Sequence, residues 1–236
     1  MLPLLFGAAA AGAASWLGYN CYSPTSQLYG RALATGSDSR QICLTYDDGP
    51  NDPHTLHLLD VLAKHEVRAT FFLIGQFVKM RPEIARAVAS AGHVIGNHTY
   101  THPSLLWCSR ARVRQELESC DHEIADATGV KVNLFRPPFG ARRPAVLKIA
   151  SRFGYTPVMG SVTCFDWKVT TPEGVERKAT SQITKQTDRG KIVLLHDGGH
   201  LKMGAVRGHT VIATDRLIER YKAEGYRFVT APEFSG

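Results

Sequence analysis

After Arg40 the chain alternates short, unbroken apolar runs with longer segments of helical period, and no other feature constrains the fold as much. Residues 41–46 form such a run, bounded by Asp47-Asp48-Gly49-Pro50, and read as a strand ending in a turn. Residues 53–65 read as a helix, with Leu56, Leu59 and Ala63 on one face and Pro53 suited to a first turn. Further strands are expected over 69–74, 93–97, 132–135, 155–162, 191–195 and 227–230, and further helices over 82–91, 111–128, 144–153, 172–186 and 210–224. The clearest helix is 111–128, where Val113, Leu117, Cys120 and Ile124 repeat at helical spacing before Gly129.

Strand followed by helix, about seven times over, argues for a parallel α/β architecture. The strands are continuous apolar runs, as expected when both sheet faces are covered. A barrel and an open doubly wound sheet both fit that rhythm. The positions of the polar residues favour the barrel. Asp47-Asp48, His98, Arg136, Asp166 and His196-Asp197 each follow a strand. In a barrel the C-terminal strand ends meet at one mouth, whereas strands at opposite edges of an open sheet do not. No GxGxxG follows the first strand, so a dinucleotide site is not supported.

The length of 236 residues fits one domain. Residues 2–17 carry no charge, and residues 1–22 read as an apolar signal or membrane-anchor segment, although the usual positive n-region is missing. Residues 23–38 are rich in Ser, Thr, Gly and Pro and read as a linker, which leaves 39–236 as the globular domain. The net charge of +7 favours anionic partners, but the basic residues are scattered and carry no nucleic-acid motif, so no nucleic-acid partner is expected. The five cysteines have no CxxC or zinc-knuckle spacing; Cys43 and Cys120 read as buried thiols.

Several residues can carry chemistry. Asp47 and Asp48 are costly if buried without partners; a turn can bring both to one site, where one binds a cation and the other stays free as a base. A plain Asp-Asp-Gly-Pro turn is the alternative. His98 and His102 lie four apart, a spacing that suits a metal clamp, yet the glutamate of a metalloprotease HExxH is absent. Asp48, His98 and His102 together leave a coordination position for water, as a hydrolytic zinc needs. Arg136, before the stiff Pro137-Pro138, can hold a carboxylate bidentately or belong to a surface turn. Asp166-Trp167 places an acid beside a large apolar plate. His196, at a strand end, suits a general acid or a core histidine bonded to a carbonyl. His200 and His209 read as ordinary surface histidines.

Taken in order, TYDDGP (45–50), HTYTH (98–102), RPPFG (136–140), DW (166–167) and LLHDG (194–198) resemble the five motifs of the polysaccharide deacetylase family, the NodB-homology group within family 4 of the carbohydrate esterases. The resemblance spans roughly 40–233. It implies a distorted (β/α)7-type barrel and one divalent metal, usually zinc, on Asp48, His98 and His102. It implies Asp47 as base, Arg136 as its holder, His196 as acid and Asp166 as the residue that tunes it. Trp167 and Leu194 would wall the pocket for the acetyl methyl, and the Phe139 N–H would help stabilise the oxyanion. The implied activity is removal of N-acetyl groups from N-acetylglucosamine residues of a cell-envelope or chitin-like polysaccharide. A deacylase or deformylase of a lipid-linked amino sugar is the alternative. The substrate is then the partner, membrane association through the N-terminal segment is expected, and the location is extracytoplasmic, either anchored or secreted.

Overall fold

The strand that carries the first motif, β2 (Gln41–Gly49), is buried along almost its whole length and sits at the middle of the sheet. The computed structural model describes residues 15–234, so most of the apolar N-terminal stretch, 1–14, lies outside the described residues. Within them the chain runs α1 (15–22), β1 (Thr35–Gly36), β2, α2 (His54–Lys64), β3 (Thr70–Leu73), α3 (Gly75–Met80), α4 (Pro82–Ser90) and β4 (Val94–Asn97). It continues through α5 (Arg110–Thr128), β5 (Leu134–Phe135), α6 (Pro144–Arg152), β6 (Thr156–Pro157), β7 (Val162–Thr163), α7 (Pro172–Ile183), β8 (Gly190–His196), α8 (Gly208–Ala223), β9 (Arg227–Phe228) and α9 (Ala231–Phe234). No helix among the described residues is long and apolar enough to cross a membrane.

The strands pair in the order β1-β8-β2-β3-β4-β5-β6, with β7 added to β8 and β9 to β2. All pairings are parallel except β1 with β8. This is a curled, incomplete barrel of the (β/α)7 type within a single domain, as the alternation of strands and helices leads one to expect. Successive side chains of a strand face opposite sides. On β2, Ile42, Leu44 and Tyr46 face the helices and join Leu58, Leu62, Leu217 and Ile218 in the main core. Cys43 faces inward and packs with Phe72, Leu134, Ile192 and Phe234, which fill one end of the barrel. Phe234 fits there because Gly36 and Gly190 have no side chains; a Cβ on either would lie within 3.0 Å of its ring. The other end of the interior is polar and forms the site.

Three local departures from expectation have clear causes. Residues 155–162 hold two short strands rather than one, because Met159 N–H donates to the Leu33 carbonyl instead of continuing a ladder. α3 follows directly on the apolar run 69–74 and is too short for a helical period to show in sequence; it buries Phe77 and Val78. The segment expected as a linker is tied into the sheet. Leu33 bridges Val158 beyond β6, and Thr35–Gly36 pairs with β8, so residues 33–36 lace the two ends of the curled sheet together.

Candidate active site

β2 delivers both aspartates. Asp47 follows the alternation of the strand and faces inward with Thr45, opposite His196 in the register of β8. By the same alternation Asp48 would point into the helical layer. It does not, because its backbone is left-handed (φ 70°) and the register with β3 slips between Asp47 and Gly49. Such bulges re-aim side chains beside active sites. Here the bulge puts two successive carboxylates on one face, both almost fully buried.

The two carboxylates then divide. Asp47 Oδ1 accepts from Arg136 Nη1 at 2.7 Å, and the same nitrogen donates to Thr45 Oγ1 at 2.8 Å. Arg136 Nε donates to the Val158 carbonyl, and the guanidinium lies 4.2 Å over the Phe72 ring. A fully buried arginine held at three points fixes the Asp47 carboxylate in position. Asp48 instead faces histidines. Its Oδ1 is 3.5 Å from His98 Nε2 and 3.3 Å from His102 Nε2, is buried, and has no hydrogen-bond partner.

The protonation of this trio follows from its neighbours. His98 Nδ1 lies 2.7 Å from the Arg136 carbonyl, which can only accept, so Nδ1 carries a proton and Nε2 is the atom that faces Asp48. Burial pushes His102 down to about 3, so it is a neutral ligand. Burial works against ionisation of Asp48, but the facing His98 and the charge of His196 outweigh it and hold the carboxyl below the usual range. One ligand atom from each of the three residues falls within a 4.8 Å cluster. Two imidazoles and an ionised carboxylate, with an orphaned oxygen at the centre, fit a divalent cation.

The HTYTH loop does not achieve this as a helical i, i+4 pair. It is irregular, with Thr99 and His102 both left-handed. Its shape is pinned from behind. Asn97 Oδ1 accepts from Thr99 N–H, and Thr99 Oγ1 accepts from His102 N–H. Glu116, buried on α5, accepts from Tyr100 N–H, Thr101 N–H and Thr101 Oγ1 at 2.7–2.9 Å.

On the far side, His196 ends β8. Its Nδ1 is 2.8 Å from Asp166 Oδ1, and its N–H donates to Asp166 Oδ2. Burial alone would lower the imidazole, yet the Asp166 carboxylate raises it to about 9. Asp166 is fully buried, and the His196 charge outweighs that burial and keeps it ionised. Thr210 Oγ1 donates to Asp166 Oδ2. His209 contradicts the surface reading: it is buried, with Nε2 2.9 Å from the Asp166 carbonyl.

A cavity of about 700 Å³ joins these groups. Nine of the ten residues singled out from sequence line it: Asp47, Asp48, His98, His102, Arg136, Phe139, Trp167, Leu194 and His196. Asp166 stands behind His196 instead. Trp167 packs edge-on to His196, with ring centroids 4.9 Å apart. Leu194 reaches the cavity because Gly160 is opposite; a Cβ at 160 would lie 2.5 Å from Leu194 Cβ. Phe139 is left-handed (φ 59°) in a 3-10 turn closed by Gly140 and Ala141 N–H, bonds that leave its own N–H out. Its ring packs edge-on to His102.

His200 also lines the cavity and stacks on His102 at 4.7 Å, which corrects its reading as an ordinary surface histidine. The Gly198-Gly199 pair between it and His196 was the available signal. Gly198 cannot carry a side chain, since a Cβ there would meet the Asp48 carbonyl at 2.0 Å. Glu116 gave no signal, because a glutamate in an amphipathic helix looks like a solvated charge.

Known proteins are similar to this chain in sequence and fold. The peptidoglycan-N-acetylmuramic acid deacetylase PdaA of Bacillus subtilis is 37% identical over 190 residues, covering 80% of this chain and 69% of that protein. A chitooligosaccharide deacetylase of Rhizobium leguminosarum bv. trifolii is 37% identical over 205 residues, covering 84% and 93%. The crystal structure of the Bc1960 peptidoglycan N-acetylglucosamine deacetylase superposes with a TM-score of 0.78 at 32% identity, covering 86% of this chain and 92% of that one. Residues 35–158, more than half of the chain, match the family model described as polysaccharide deacetylase. With the fold, the ordered motifs and these relatives in agreement, the chain belongs to the polysaccharide deacetylase family and is a hydrolase of amide bonds.

Proposed function

We propose that the protein removes N-acetyl groups from amino-sugar residues of an extracytoplasmic polysaccharide, of the peptidoglycan or chitin-like class. The observation that carries this is the division of labour between the adjacent carboxylates: Asp47 is held by Arg136, while Asp48 faces the imidazoles of His98 and His102. The relatives named for peptidoglycan and chitooligosaccharide substrates supply the substrate class.

Asp48, His98 and His102 would hold a divalent cation, and zinc suits this set of two nitrogens and one oxygen. Such a cation supplies Lewis acidity toward the amide carbonyl and makes water a better acid. Asp47 accepts the proton of the attacking water, and Arg136 keeps its carboxylate aimed. His196, protonated through its pairing with Asp166, gives a proton to the departing amine nitrogen. The Phe139 N–H donates toward the oxygen that gains charge. Trp167 and Leu194 wall a small apolar recess for the acetyl methyl, which limits acyl size.

The test is acetate release from N-acetylglucosamine oligomers and from peptidoglycan, with zinc, with chelator and in Asp47→Asn. Release should need metal and should fall by about 10²–10⁴ in the variant, as loss of a general base does. Metal-loaded protein that releases acetate from none of these would sink the polymer reading and point to a lipid-linked amino sugar.

A further inference from the structure

The cavity is walled partly by residues that no family motif includes. Tyr22 and Pro24, at and just past the end of α1, line it beside the metal-ligand histidines. A second, open groove of about 580 Å³ adjoins it, lined among the described residues by Ser15, Gly18, Tyr19, Tyr22, Ser23 and Pro24. Both spaces share Tyr22 and Pro24, so the groove continues the cavity outward along α1.

This wall is built into the catalytic domain. Arg142 is 1% exposed; its backbone N–H donates to the Cys21 carbonyl at 3.0 Å, and its Nη2 donates to the Ser23 and Ser26 carbonyls. Arg142 lies two residues past Gly140, so the staple ties the end of α1 to the loop that carries Phe139. Within the segment, Tyr29 Oη–H donates to the Leu17 carbonyl and Ser26 Oγ donates to Asn20 Oδ1. On this fixed support Tyr19 and Tyr22 are 68% and 53% exposed, and neither ring stacks on another aromatic ring among the described residues. Rigid, amphipathic tyrosine faces in an open groove suit a ligand that is apolar on its faces and polar at its edges. A pyranose is such a ligand.

We infer that the groove along α1 is a saccharide subsite, in which Tyr19 and Tyr22 stack the sugar residues that flank the one being deacetylated. The occupant is the same polymer chain, because the groove is continuous with the cavity that takes the acetylated residue. The inference rests on the deacetylase reading, and the experiment separates the two. Acetate release from the dimer and the hexamer of N-acetylglucosamine is compared in the full-length protein, Tyr19→Ala, Tyr22→Ala and Tyr22→Phe. The ratio of kcat/KM for hexamer over dimer should fall about tenfold in each alanine variant, the scale of one lost aromatic face, and persist in Tyr22→Phe. Equal losses on both lengths, or no loss, would overturn the subsite. Hexamer binding is measured in parallel by calorimetry on Asp47→Asn with and without Tyr19→Ala. If the unsubstituted protein releases no acetate from either oligomer, the deacetylase reading fails, while the subsite is still judged by binding. It stands if Tyr19→Ala weakens the hexamer about tenfold and falls if affinity is unchanged or the hexamer does not bind.

Discussion

At the scale of single residues, the site works by assigning different surroundings to chemically similar groups. Asp47 and Asp48 are identical side chains one peptide apart, and one left-handed φ sends them to different partners. The same logic separates the histidines. His102 is driven neutral by burial, whereas His196, somewhat more open to solvent, is held protonated by Asp166. A metal ligand must offer a free lone pair and a general acid must carry a proton, so one cavity needs such opposed shifts. The pairing has a measurable consequence. His196 acts when protonated, so activity is lost as pH rises through its pKa. In Asp166→Asn the strongest raising charge is gone and burial is opposed only by the weaker pull of Asp48 and Asp47, so the alkaline limb of kcat/KM should move to lower pH. The neutral-pH rate should fall by about 10²–10⁴. A cation on Asp48 would lower His196 in both proteins alike, leaving the sign of the difference unchanged. A pH profile with an unmoved alkaline limb would remove His196 from the role of acid.

Among the elements, the loops that carry chemistry are held by neighbours that carry none. α5 contributes Glu116, whose buried carboxylate takes three hydrogen bonds from Tyr100 and Thr101 between the two ligand histidines. Thr99 and His102 occupy left-handed backbone that costs of order 1–3 kcal/mol each and persists only where surroundings fix it. Glu116→Gln keeps the size but turns one acceptor into a donor facing Tyr100 and Thr101. Zinc affinity, read by competition with a chromophoric chelator, should weaken about 10–100-fold, the effect of losing a group that orients metal ligands. Unaltered affinity would show that the loop holds its shape without α5. β8 and Gly160 make a similar pair. Gly160→Ala drives a methyl into Leu194 and should destabilise by about 1–3 kcal/mol in chemical denaturation, with a change in KM as the recess wall moves.

Across the whole molecule, the sheet is curled but not closed, and the N-terminal segment makes up the difference. Residues 33–36 touch Val158 on one side and β8 on the other. Ala34 is buried among them, and Arg142 is covered by the turn that precedes them. A chain started at Ser39, the boundary that sequence composition indicates, would lose the β1 pairing and the partners of Arg142. Its melting temperature should drop by about 5–10 °C, at roughly 2–4 °C per kcal/mol for a chain of this size. An unchanged melting temperature in calorimetry would return residues 23–38 to the status of a linker.

The sequence by itself determined the strand and helix order, the parallel class and the kinds of side chain at each strand end. Those depend on local periodicity and on residue chemistry, both of which are written in consecutive positions. It also held the five ordered motifs, because the residue types at 45–50 and 194–198 are legible in consecutive positions. The tertiary structure alone decided that Asp48 turns inward, that His98 presents Nε2, that Glu116 is a buried clamp and that His200 and Tyr22 face the cavity. Each of these depends on a partner far along the chain: β3 for the bulge, the Arg136 carbonyl for the tautomer, the histidine loop for Glu116, His102 for His200 and Arg142 for α1. Composition and spacing see only neighbours, and these features are made by contacts that the folded sheet brings together.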